Sequence, residues 1–328
     1  MKGIGRLVQL GITKETVRGT AETTPSVWLP FTEASADEKI TQAFDDQAQG
    51  VVENTTDAKI VQQYSELSLK GYISDKSIGY LLLSTLGTVN SAANSDAGGL
   101  VKDHTFTVAQ SSQHQSLTYF LNDPISAVDY KYALGCIDEL DISYATGKLV
   151  EFDLKIKAKK GVSSTLTPAT SSENVFKPSN FALKLASTQA GLTAATAIAV
   201  KTFKLKIIKG LESDNVLGSL DPVDYLNKTF EITGEIEAIW QNEADFKTAF
   251  IAGTEQAMRI DLLNSDVTIG TAAKPELQID LYKVSFNSLT RPFKVGDVIL
   301  QTIAFTAHYS LTDSKMISAK LTNLQTAY

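Results

Sequence analysis

The feature that most constrains this chain is alternation. Apolar Val150, Phe152, Leu154, Ile156 and Ala158 interleave with Glu151, Asp153, Lys155, Lys157 and Lys159. A side-chain period of two puts one set on each face of an extended strand, one buried and one wet. The pattern returns at Phe230, Ile232, Gly234, Ile236, Ala238 and Trp240, with Glu231, Thr233, Glu235 and Glu237 between them. Ile299, Ile303, Phe305, Ala307 and Tyr309 carry it again, and shorter cases lie at 67–73, 116–121, 139–144, 203–208 and 258–263. Helical signals are few. Ser74 or Asp75 can cap a short helix carrying Ile78, Leu81 and Leu82, stopped near Gly87. Asn242 can cap another carrying Phe246, Ala249 and Phe250, stopped near Gly253. The expected fold is all-β and antiparallel with short flanking helices.

The elements recur in order. ELSLKGYI, a helix, a glycine, QSLTYFLNDP, ELDISY and GKLVEFDLKIKAKK are followed later by EITGEIEAIW, a helix, a glycine, QAMRIDLLNSD, LYKVSF and GDVILQTIAFTAHY. Gly147 precedes one long strand and Gly296 the other. Upstream, FTEASADEKITQAFDDQAQG and FKLKIIKGLESDNVLGS each run from a strand into an acidic, amide-rich loop. A Ser/Thr/Pro-rich connector at about 161–180 separates the two series. The reading is two tandem β-sandwich or barrel domains, 1–165 and 166–328, from an internal duplication. Its period is far longer than that of a solenoid.

Chemistry is sparse. A single cysteine, Cys136, rules out an internal disulfide framework and reads as a small buried hydrophobe. A net charge of −7 argues against wrapping nucleic-acid phosphates. The opening MKGIGRLVQLGITKE has no apolar stretch long enough for a signal peptide, and IGYLLLSTLG is too short for a membrane span. The expectation is a protein made in a cytoplasm. His104, His114 and His308 show no metal-ligand spacing and read as surface or edge histidines. Gly3 and Gly5 open like a dinucleotide fingerprint, but Val8 stands at the third glycine position and no βαβ unit follows. The carboxylate pairs Glu139 with Asp141 and Glu235 with Glu237 fit the wet face of strands better than an acid–base pair. No catalytic, metal-binding or cofactor-binding residues are assigned.

One stretch needs a cover. GITKETVRGTAETTPSVWLPF runs from a threonine-rich segment into Trp28, Leu29, Pro30 and Phe31. Pro30 cannot donate to a ladder, so the cluster is not an ordinary central strand. Either the chain's own core or another chain covers it.

Taken in order, GITKETVRGT, TPSVWLPF, SELSLKGYISDKSIGYLLLSTLGTV, HTFTVAQSSQHQSLTYFLNDP, LESDNVLGSLDP and FEITGEIEAIW resemble the major tail tube protein of long-flexible-tailed bacteriophages and prophages, over nearly the whole chain. That resemblance implies a β-sandwich or barrel subunit with a flanking helix, stacked in rings around a lumen that carries DNA. It implies six domains per ring, so a duplicated chain would form trimeric rings with pseudo-sixfold symmetry, six chains being the alternative. The implied partners are the chain itself and other tail proteins: tape measure, terminator, and distal tail or baseplate. DNA would pass without specific binding. The implied place is the virion tail, assembled in the host cytoplasm. Gly19, Thr20, Pro25, Trp28, Leu29, Pro30 and Phe31 are read as an arm and its anchor between subunits. Phe44, Asp45 and Asp46, with Leu217, Asp221 and Pro222, lie in the loops read as neighbour contacts. Glu139, Asp141, Glu231, Glu235 and Glu237 are the acidic lumen candidates. A tail terminator or distal tail ring protein, a carbohydrate-binding β-sandwich adhesin and a carboxylate-pair glycosidase are the competing readings.

Overall fold

The alternating segments become strands, most of them longer than their apolar runs. The computed structural model describes residues 4–124, 128–170, 172–241 and 246–328. In chain order the first half holds β1 (Gln9–Lys14), β2 (Val27–Leu29), β3 (Glu33–Asp45), β4 (Asp57–Tyr72), α1 (Ile78–Leu86), β5 (Gly87–Ala93), β6 (Lys102–Val108), β7 (Leu117–Asn122), β8 (Asp129–Ala145), β9 (Glu151–Ala158) and β10 (Val162–Ser164). The second holds β11 (Phe181–Ala186), β12 (Ala197–Ile198), β13 (Thr202–Ile208), β14 (Leu211–Asp214), β15 (Asp224–Asn227), β16 (Glu231–Ile239), α2 (Lys247–Ala252), β17 (Gln256–Leu263), β18 (Glu276–Thr290), β19 (Leu300–Ala307) and β20 (Ile317–Asn323).

Every pairing between these strands is antiparallel. One wide sheet runs β3-β4-β9-β8-β13-β16-β19-β18. Against it lie β2-β1-β7-β8-β10 and β12-β11-β17-β18-β20-β6-β5. Strands β8 and β18 serve both layers. Each passes from one to the other at a bulge, between Ile137 and Glu139 and between Phe286 and Ser288. An extra residue on one strand bends it, which is what a change of layer requires. The inward phases, such as Leu69, Leu140, Leu154, Ile207, Ile236 and Ile303, form one apolar cluster spanning both halves.

The pairing order β2-β1-β7-β8-β9-β4-β3, with β10 on β8, is followed after residue 181 by β12-β11-β17-β18-β19-β16-β13, with β20 on β18. Registers agree too. Ile137↔Ile156 and Leu140↔Leu154 map onto Phe286↔Phe305 and Leu289↔Ile303, all by one shift of 149 (286 less 137, 303 less 154).

Several expectations need correction. Helix α1 starts at Ile78, with Ser77 at its N-cap and no side-chain cap bond. The Asp75 carboxylate instead accepts from the Asn174 backbone N–H (2.9 Å) and Nδ2 (2.7 Å). Both helices end where expected, on Gly87 (φ 95°) and Gly253 (φ 62°), because glycine enters the left-handed region without a Cβ penalty. Asn242 lies outside the described residues. His104 and His114 are buried, not at the surface. His104 sits among Ser91 Oγ, Asn323 Oδ1 and the Gln325 carbonyl; His114 sits between the carbonyls of Thr85 and Ala109. Hydrogen-bond partners made burial tolerable there, and sequence alone does not display them. Cys136 is buried, and burial pushes its thiol up.

Candidate functional site

The wet face of the wide sheet gathers all five acidic candidates. Strand β13 lies between β8 and β16, so Glu139 and Asp141 flank one side of Lys204 and Lys206, while Glu231, Glu235 and Glu237 flank the other. The face is not uniformly acidic. Lys206 pairs with Glu139 and, at 3.6 Å, with Asp141; Lys155 pairs with Glu139 at 3.2 Å; Lys204 pairs with Glu235 at 3.6 Å. Burial works against the Glu139 carboxylate, but bonds from Lys206 and Lys155 outweigh it and hold it below the usual range. Asp141 is pushed up by burial, with Glu139 and Asp153 adding like charge. Glu237 accepts only from Thr202 Oγ1, and Glu231 has no ion pair among the described residues. Across β3, β4, β9, β8, β13 and β16, acids on this face outnumber lysines, and most pairs are exposed, so each contributes little to stability. What they set is a weakly negative surface.

The opening segment folds back on its own chain. Strand β2 pairs with β1, Trp28 opposite Gly11. A Cβ on Gly11 would meet Pro25 Cβ at 2.7 Å, so only glycine lets that segment close. Strand β2 ends at Leu29, immediately before Pro30. Leu29 is buried and Phe31 packs against the core, whereas Trp28 is half-buried beside a groove with Arg6, Ala169 and Thr170. Thr20 donates its N–H to Val17, and the Glu15 carboxylate accepts from Gly19 N (2.7 Å). Arg18 reaches across to Asp224 Oδ1 (2.7 Å) and the Tyr225 carbonyl (2.9 Å). The residue just before Gly19 is thereby tied, within one chain, to the end of the loop that carries Leu217, Asp221 and Pro222.

The remaining loop candidates project. Phe44 is 62% exposed and Leu217 fully so; Asp45 and Asp46 lie at the tip of the β3–β4 hairpin. Asp221 is half-buried and Pro222 buried. The Leu217 loop meets strand β4, where Gln63 N donates to the Leu220 carbonyl (2.9 Å). Sequence reasoning missed a second feature: the wide sheet is open at both ends. Among the described residues β3 pairs only with β4, and the last residues of β18 pair only with β19. Nearby Phe293, Val295 and Val298 are 73%, 102% and 65% exposed.

Among the described residues no three His, Cys, Asp or Glu side chains are grouped to hold a metal ion. No helix there is long and apolar enough to cross a membrane. Fold and surface together define an all-β protein whose widest sheet is charged on one face and unclosed at its two edges. Residues 5–307 match the family model described as phage tail tube protein, and the chain belongs to that family, as a structural component of a bacteriophage tail. No individual curated protein matches it.

Proposed function

We propose that this chain self-assembles into rings that stack as the hollow tail tube of a long-flexible-tailed phage, through which DNA is delivered. The observation that carries the reading is the eight-stranded sheet with a free edge at each end: among the described residues β3 pairs on one side only, with β4, and the last residues of β18 on one side only, with β19. Open edges invite pairing with another chain, and closing the sheet on copies of itself removes them. The chain acts as structure and not as an enzyme. Its tape-measure, terminator and distal tail or baseplate neighbours follow from the family, as does assembly in the host cytoplasm.

We read the chain as two tandem tail-tube domains, 1–165 and 166–328, each contributing four strands to the wide sheet. The equal pairing orders, the 149-residue shift that carries β8–β9 onto β18–β19 and the matching bulges support it. Three chains would then supply six domains and 24 strands (three times eight). Barrel diameter grows about linearly with strand number, and 16 strands give only a porin-sized channel. A DNA duplex needs the wider bore. The face bearing Glu231, Glu235 and Glu237 would line the lumen, where weak negative charge repels DNA without holding it. Thr20, Pro25 and Trp28, with the Phe44 and Leu217 loops, would make contacts between subunits.

Electron microscopy of the purified, concentrated protein tests this reading. Hollow tubes are expected. Closed rings that never stack would favour a terminator or distal tail role, and glycan binding by a lasting monomer would favour an adhesin. Charge reversal at Glu231, Glu235 and Glu237 is expected to slow DNA delivery while tubes still form; unchanged infectivity would remove those residues from the lumen.

A further inference from the structure

The chain contains its own template for the contact between chains. Strand β13 joins the wide sheet by pairing with the end of β8: Phe203↔Tyr144, Leu205↔Ile142, Lys206↔Asp141 and Ile207↔Leu140. Tyr144 is the plug of that junction. It is 5% exposed, and its ring lies 4.7 Å from Phe181 and 5.6 Å from Phe203. Each participant has a counterpart at an open edge. By register with β4 and β16, Ala34 and Ala36 of β3 stand where Phe203 and Leu205 of β13 stand. Shifted by 149, Leu140, Asp141 and Tyr144 become Leu289, Thr290 and Phe293. By register with β7 and β17, Leu10 matches Leu183, which puts Val8 in the place of Phe181.

The two counterparts fit each other. Val8, Leu10, Ala34, Ala36, Leu67 and Tyr119 line an apolar groove of about 410 Å³. It is the slot that Tyr144 fills at the internal junction, left open here. Phe293, the counterpart of Tyr144, is 73% exposed. Alanines at 34 and 36 leave the groove wider than Phe203 and Leu205 would.

We propose that a second copy of this chain docks here, β3 of one copy pairing antiparallel with residues 288–294 of the next, and Phe293 filling the groove. The register is that of the internal junction: Lys39↔Ser288, Asp37↔Thr290, Ala34↔Phe293 and Glu33↔Lys294. The last pair sets opposite charges face to face, which selects this register over one slipped by two. Pro292 cannot donate, so the ladder runs over Ser288–Thr290 and the Phe293 side chain carries the rest. Glu38, held by Ser65 Oγ (3.0 Å) and Gly161 N (3.2 Å), stands where Ile207 does, so that end of the junction is more polar than its template. The proposal rests on the ring-forming reading and specifies its interface.

Paired cysteines test it. Facing residues of an antiparallel ladder lie within disulfide reach. Asp37→Cys with Thr290→Cys, oxidised with glutathione disulfide after assembly, is expected to give covalent multimers; Asp37→Cys with Ser288→Cys, two residues out of register, is expected to give few. Phe293→Glu is expected to raise the concentration needed for assembly by roughly tenfold or more, and Phe293→Tyr to leave it nearly unchanged. Phe293 is exposed in the lone chain, so an unchanged melting temperature for both variants checks that folding is intact. Tubes that form without cross-links, and form equally well with Phe293→Glu, would overturn this interface while leaving the tube reading standing. A cross-link within one chain would mean the edges close on themselves. If the wild type forms no multimer at any concentration and no cross-link appears, both readings fail.

Discussion

The two halves follow one pairing order, yet they treat their helices differently. All nine residues of α1 are buried, whereas in the six-residue α2 Ala249 is buried and Ile251 is 71% exposed. The cover comes from a hairpin with no counterpart in the second half and from side chains that the second half supplies. The hairpin β5–β6 sits between α1 and β7, and Tyr328 lies edge-on to Tyr80 and His104. Lys209, from the far half, donates Nζ to the Ser84 carbonyl in the last turn of α1 (2.8 Å). Asp96, in the β5–β6 loop, accepts N–H bonds from Thr271 (2.9 Å), Ala272 (2.8 Å) and Ala273 (3.1 Å). The difference teaches that equal topology does not mean equal exposure. One helix is a lock between halves, and the other faces outward.

Four changes would break or sharpen that contrast. Leu81→Ala empties a fully buried site and is expected to cost about 3–5 kcal/mol, against a few tenths for Ile251→Ala on α2; chemical denaturation of both variants measures it. Comparable losses would sink the contrast. Gly79→Ala comes next. A Cβ there would lie 2.1 Å from the Tyr328 ring, so the ring must leave. A loss of about 1–3 kcal/mol is expected, and it should largely vanish once Tyr328 is already replaced by alanine.

Lys209 is smaller and opposite in sign. Burial pulls its ammonium down to about 8, while an unfolded lysine titrates near 10.4. Between those values the unfolded chain holds more protons, so stability rises with pH. Lys209→Met is expected to raise stability at neutral pH by about 1–2 kcal/mol and to flatten that rise; melting curves at pH 7 to 10 decide it. A destabilised variant would mean the bond to Ser84 outweighs desolvation. Asp96 gives the smallest effect. Backbone N–H groups of Thr271 and Ala272 hold its carboxyl at about 2, so its contribution is present above the ordinary carboxylate pKa and lost as pH falls toward 2. Asp96→Ala should speed amide exchange at 271–273 with little change in melting; unaltered exchange would count against the tie.

The all-β class and both helices were legible, because alternation and terminal glycines are local signals. Strand β20 and the hairpin β5–β6 were not. ISAKLTN and GTVNSAA carry few large apolar residues, and their pairing partners lie far away in sequence. The shared order of strand pairing is legible in the order of the segments, but its register is not. ELDISY was set against LYKVSF, whereas the register sets residues 139–144 against 288–293. Alternating strands look alike at many offsets, and the bulges at Asp138 and Asn287 break the phase. Gly147 and Gly296 carry the 149-residue shift, and extending it backward from those glycines makes Phe293 the counterpart of Tyr144. The acidic candidates were chosen singly; that they share one sheet face with lysines between them depends on β8–β13 pairing, which no local pattern encodes.

The central claim is that one chain occupies two of six equivalent positions around a hollow ring. Rotational averaging of tube cross-sections, with the chains counted per ring, tests it most directly. The account predicts a sixfold-looking wall with true threefold symmetry and three chains per ring. Six chains per ring, or a wall without paired repeats inside each chain, would contradict it.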